Sequence, residues 1–352
     1  MKKGLTALLL IVTALTTSCS RTTSDYTLVN VSYDPTRELY KDFNEAFIKH
    51  YQQETGKTVK IEVTHAGSSA QARSVIEGLE ADVVTLALAY DIDNIAQKTG
   101  WLPLDWQKRL PYNSTPYSST VVFLVRKGNP KNIKEWDDLI KPNIEIVVAH
   151  PKTSGVARWA YLAGWGYILK KELGDLEKLH NPNAATETAA AQEKAREFIT
   201  TLYKRVVVLP PGARTASQAF VQQGNGDVLL DWENQAELTI NEFGKGEYEI
   251  VVPSVSILAE PPVALINKNV DRRGTREVAE MYLKFLYSKT GQEIVAKHYY
   301  RPRDKEILQK YTNNFVSIEM FTIDDVFGGW QKAQKEHFED GGIFDQIYIP
   351  NR

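Results

Sequence analysis

From residue 27 to residue 231 the chain alternates short runs of apolar and β-branched residues with stretches of helical patterning. The runs fall at 27–32, 60–64, 82–89, 120–126, 145–149, 205–209 and 227–231. Several are apolar without alternation, as strands buried on both faces must be. That rhythm predicts open α/β sheets covered by helices on both sides. Helices are expected after Asp34, Ser68 and Ser154, with a long one over 275–298. With 352 residues, the chain exceeds what one hydrophobic core usually organises, so two lobes are expected.

Charge narrows the function. Lys plus Arg number 42 against 44 Asp plus Glu, so no excess points to nucleic acid or to a membrane surface. At the N-terminus Lys2 and Lys3 precede an apolar run over 5–15, too short to span a bilayer as a mature helix. This reads as an export leader. Cys19, the single cysteine, follows Thr16, Thr17 and Ser18, so no intrachain disulfide can form. The position resembles a bacterial lipoprotein cleavage site, which makes lipidation at Cys19 the expected modification; a cysteine discarded with the leader is the alternative.

In sheets of this kind ligands sit beyond the carboxyl ends of strands, so the loops there carry the chemistry. Asp34 stands directly before Pro35, a helix-start signal in which Asp34 is either a plain cap or a residue whose N–H reaches a ligand. Two strand-to-helix loops follow: His65-Ala66-Gly67-Ser68, and Thr153-Ser154-Gly155-Val156. Small residues at helix starts leave N–H groups free for an anion. Pro210-Pro211-Gly212-Ala213 forms a fourth such loop, and Trp232 ends a strand with an indole N–H that can only donate. Donors without a matching cation suit a fully ionised oxyanion.

Segments 30–40, 81–90 and 122–130 resemble the bacterial periplasmic sulfate-binding proteins, a family of solute-binding proteins of ABC transporters. So do Tyr299-Tyr300-Arg301-Pro302-Arg303-Asp304 and 321–324, and the likeness spans nearly all of the chain after the leader. The resemblance implies a type II periplasmic-binding-protein fold of two α/β lobes joined by two hinge crossovers and closing over dehydrated sulfate. The expected division is a leader over 1–19, lobe I over 25–119 and 262–350, lobe II over 127–252, and crossovers at 120–126 and 253–261. The implied sulfate ligands are the N–H groups of Asp34, Ser68, Gly155, Val156 and Ala213, the Ser154 hydroxyl and the Trp232 indole. Two departures stand out: Val156 and Ala66 replace glycines of the family pattern.

The same resemblance implies a monomer outside the cytoplasmic membrane, with no cofactor, that hands sulfate to permease subunits and their ATPase. Other readings remain. The anion could be thiosulfate or molybdate; the Tyr299-Tyr300 pair could serve ferric ion; Ser68 or Ser154 could act as a hydrolase nucleophile, although no Gly-x-Ser-x-Gly elbow occurs. Asp91 and Asp93 read as solvated charge at a helix start, and the six histidines show no metal-ligand spacing.

Overall fold

The computed structural model describes residues 24–348; the leader and Cys19 lie outside them. The first lobe opens with β1 (Tyr26–Tyr33), a tight turn over Asp34–Thr36, and α1 (Arg37–Thr55). It continues with β2 (Val59–Ala66), α2 (Ser68–Ile76), β3 (Val83–Thr85) and α3 (Ala89–Thr99). After β4 (Tyr117–Ser118) the chain enters the second lobe as β5 (Val121–Arg126), β6 (Ile146–Val147) and α4 (Gly155–Leu173). That lobe is completed by α5 (Ala185–Tyr203), β7 (Val206–Val208), α6 (Ala213–Val221), β8 (Val228–Trp232), α7 (Glu233–Phe243) and β9 (Tyr248–Val251). The return brings β10 (Val255–Ile257), β11 (Val263–Leu265), α8 (Arg276–Phe285), α9 (Lys289–Lys297), β12 (Arg301–Pro302) and β13 (Glu319–Phe321).

The sheet of the first lobe has the order β11-β3-β1-β2, and that of the second β7-β6-β8-β5-β9. β1 runs parallel to β2 from Tyr26↔Val59 to Tyr33↔Ala66, so both strands end level with each other and release their loops on one side. On the opposite lobe β8 ends at Trp232, beside β6, whose chain leads into Ser154. The architecture is the two-lobed α/β fold expected from the alternation. No helix among the described residues is long and apolar enough to cross a membrane.

The hinge is narrower than the sequence suggests. Residues 121–126 of the expected first crossover form a central strand of the second sheet, paired with β8 on one side and β9 on the other. Val121 through Val125 are buried on both faces, which explains their unbroken apolar run. The crossing lies just before them. The amides and carbonyls of Ser119 and Ala259 bond reciprocally at 2.9 Å, tying the two crossing segments together. Ser119 also donates from its hydroxyl to Asn234, and Arg301 grips buried Glu233 through two bonds of 2.8 and 2.9 Å.

Two further expectations are corrected. The helix over 275–298 is two helices, because Ser288 caps α9 by accepting the Gly291 amide at 3.0 Å and Gly291 sits against the Phe285 carbonyl. The end of the chain does not stay with the first lobe. β13 pairs with β10, and the short helices Ile323–Phe327, Trp330–Ala333 and Ile343–Ile347 pack on α4 and α5 of the second lobe. Aromatic burial drives this third crossing: Trp330 meets Trp159 at 4.6 Å, Phe338 meets Tyr161 at 5.1 Å, and Phe344 meets Tyr203 at 5.3 Å.

Candidate functional site

Four helix starts converge where the lobes meet. Asp34, Ser68, Ser154, Gly155, Val156 and Ala213 line one cavity together with Tyr33, Pro35, Ala66, Gly67 and Gly212. The space is small, about 10 Å³, with room for one compact ligand. A hollow of 230 Å³ on the first lobe is larger, but its Arg276 is already paired with Asp271 and Glu280.

Local sequence explains each start. Thr36, fully buried, donates to the Tyr33 carbonyl at 2.6 Å and meets the Ser32 hydroxyl at 2.6 Å, bending the chain at Asp34. Pro35 contributes no N–H to the turn and presets its backbone. At the second start, Ser68 spends its hydroxyl twice, donating to Asp91 Oδ2 at 2.5 Å and accepting the Ala87 amide at 2.9 Å. Its own N–H remains free for the cavity. At the third, Ser154 Oγ accepts the Ala157 amide at 3.4 Å, which leaves its proton available. At the fourth, Thr215 accepts the Gly212 amide at 3.1 Å and closes the turn before Ala213.

The N–H groups of Asp34, Ser68, Gly155, Val156 and Ala213 occupy first or second helical positions, where no earlier carbonyl of the helix can reach them. No backbone partner is recorded for any of them among the described residues. Each helix start also presents the positive end of its dipole, worth roughly 0.3–1 kcal/mol to an anion and up to about 2 where partly buried. Among the described residues no Lys, Arg or His lines the cavity. The Asp34 side chain has Arg37 at 3.8 Å; burial raises its pKa against the pull of Arg37 and Arg214.

Trp232 stands one layer back. It does not line the cavity but packs edge-on against Tyr33, with ring centroids 5.8 Å apart. Its Nε1 is buried and has no hydrogen-bond partner, a state that costs about 1–3 kcal/mol until an acceptor arrives. The neighbouring Asp231 is fully buried, and burial lifts its pKa to about 8. Burial thus favours its uncharged form toward neutral pH.

Some residues behave differently from their sequence reading. Asp91 is not solvated; it is buried and accepts from both Ser68 and Ser69. Burial raises its pKa, opposed chiefly by the charge of Arg158 and by those two hydroxyls. Nothing in the local pattern separates Asp91 from an ordinary helix-start acid, because its partners lie 22 and 23 residues earlier. His65 does not touch Ser68. Its Nδ1 faces the Tyr33 carbonyl at 3.2 Å, and burial lowers its pKa to about 4, so the pair forms no nucleophile and base. Tyr299 and Tyr300 also diverge: Tyr300 is buried against Tyr33, whereas the Tyr299 hydroxyl accepts from Asn241.

Comparison with known proteins places these observations in context. Residues 36–301 match the family model of bacterial extracellular solute-binding proteins. The sulfate-binding protein of Escherichia coli K12 is 56% identical over 95% of this chain and 97% of its own length. The thiosulfate-binding protein of Pseudomonas aeruginosa is 49% identical over 92% of each. Among solved structures, the sulfate-binding protein SubI of Mycobacterium tuberculosis superposes with a TM-score of 0.76 at 27% identity, covering 89% of this chain and all of that one.

The lobes approach so closely that glycine is required at the seam. A Cβ on Gly67 would fall 2.6 Å from the Thr153 carbonyl oxygen, backbone that cannot step aside. Gly67→Ala is therefore expected to hold the lobes ajar. Small-angle scattering with saturating ligand should give a larger radius for the variant than for the parent, while the unliganded radii agree. Equal liganded radii would show that the seam tolerates the methyl.

Proposed function

Because this chain belongs to the family of bacterial extracellular solute-binding proteins of ABC importers, we propose that it captures sulfate outside the cytoplasmic membrane and delivers it to such an importer. The observation that carries this reading is the small cavity walled by N–H groups from four helix starts, with no cationic side chain among the described residues lining it. Sulfate is doubly charged and accepts hydrogen bonds only, so a shell of donors satisfies it without a proton or a counter-ion. The work is capture and transfer, not bond-making chemistry.

The ligand set is Asp34, Ser68, Gly155, Val156 and Ala213 through their N–H groups, Ser154 through its hydroxyl, and Trp232 through its indole. The free Ser154 proton and the unpartnered Trp232 Nε1 support the two side-chain roles. Val156 is nearly buried and packs with the core of its lobe, which supports a role through its amide alone. The protein acts as a monomer, tethered by lipid at Cys19.

Calorimetric titration of dialysed protein with sulfate tests the set. Trp232→Phe keeps most of the ring and Ser154→Ala keeps the backbone, and each should weaken binding by about 1.5–3 kcal/mol, the scale of a hydrogen bond to a charged group. Val156→Pro removes one N–H from a first helical turn that tolerates proline, and should weaken sulfate at least tenfold, or about 1.4 kcal/mol. Val156→Gly should change it little. Folded variants that all bind like the parent would discard the set. For the tether, Cys19→Ala should move the protein from membrane to soluble fractions; unchanged retention would remove the lipid anchor.

A further inference from the structure

One contact crosses between the lobes without lining the cavity. The indole Nε1 of Trp159 donates to the carbonyl of Ala87 at 3.0 Å, and both residues are fully buried. Trp159 lies on α4, one helical turn beyond Gly155. Ala87 lies between β3 and α3 on the other lobe. The Ala87 amide donates to Ser68 Oγ, and that hydroxyl donates to Asp91. A chain of bonds thus links the Ser68 turn, whose N–H faces the cavity, to the helix that faces it from the opposite wall.

The seam is tight at this point. A Cβ on Gly155 would lie 2.7 Å from the Ala87 Cβ and 3.1 Å from Leu88 Cγ, so no water layer separates the two segments. Trp330, from the third crossing, packs edge-on against the Trp159 ring at 4.6 Å and an interplanar angle of 88°, fixing the direction of the indole. The single acceptor of that indole belongs to the other lobe. Moving the lobes apart must break the bond.

We propose that Trp159 is a closure latch, a positioning residue that slows release of the bound anion by holding the lobes shut through Ala87, without touching the anion itself. The inference rests on the sulfate reading of the cavity. Its energetic basis is the cost of separating a buried donor from a buried acceptor before water reaches either. Because the bond forms after encounter, it acts on dissociation rather than association. A ligand-shell donor such as Trp232 discriminates between anions, whereas a latch scales all of them alike.

The test is Trp159→Phe, which keeps most of the ring and deletes the donor, followed by stopped-flow release of sulfate and thiosulfate. Release of both anions should quicken by about tenfold, with association within about twofold of the parent. The thermal transition of the unliganded variant should match that of the parent, since the bond belongs to the closed form. In the parent protein, hydrogen exchange at the Trp159 indole should slow on adding sulfate, a readout that stands even if the variant folds poorly. Release within about twofold of the parent, or an indole equally protected with and without sulfate, would overturn the latch. A parent that binds no sulfate would overturn the sulfate reading and the latch with it; a parent that binds normally beside an unaffected variant would overturn the latch alone.

Discussion

A doubly charged anion stripped of its water must be compensated by whatever the cavity wall supplies, and here the wall supplies peptide dipoles in place of side-chain cations. A buried ammonium or guanidinium would carry its own desolvation cost. Backbone N–H groups at helix starts are already unpaired and already oriented. The rest of the architecture follows from bringing four such starts to one point. Parallel strands ending level with one another release their loops on one side, and two lobes are needed to surround the ion from opposite directions.

Closure imposes the second constraint. For both walls to reach a small ion the lobes must meet closely: a Cβ on Gly67 would strike the Thr153 carbonyl oxygen, and one on Gly155 the Ala87 and Leu88 side chains. A Cβ on Gly212 would lie 2.9 Å from the Asp34 carboxylate. The lobes are joined where the Ser119 and Ala259 segments pair, by the Arg301–Glu233 pair and by the third crossing.

The four loops that line the candidate cavity were legible in the sequence because helix starts have a local chemistry. Asp34 before Pro35, Ser68 after Gly67, Ser154 before Gly155 and Ala213 after Gly212 each announce a cap without reference to the rest of the chain. What stayed hidden depends on partners distant in sequence. Asp91 looks solvated until Ser68 and Ser69 are seen to cover it, and Trp159 is one of several tryptophans until Ala87 is found opposite its indole, 72 residues away. The apolar run at 121–126 read correctly as strand but wrongly as crossover, since periodicity does not say in which lobe a strand is buried. The return of the C-terminal helices to the second lobe rests on aromatic contacts that no periodicity encodes.

If the cavity recognises its anion by donating hydrogen bonds alone, two anions of like shape but different protonation must compete unequally for it. Near pH 8 sulfate carries no proton, whereas phosphate keeps one that needs an acceptor. Calorimetric titration of the dialysed protein at that pH should show tight sulfate binding and phosphate weaker by at least tenfold, about 1.4 kcal/mol or more, the cost of leaving that proton unpaired in a closed cavity. Comparable affinities would mean that an acceptor serves the ligand, and a site built of donors alone would be contradicted.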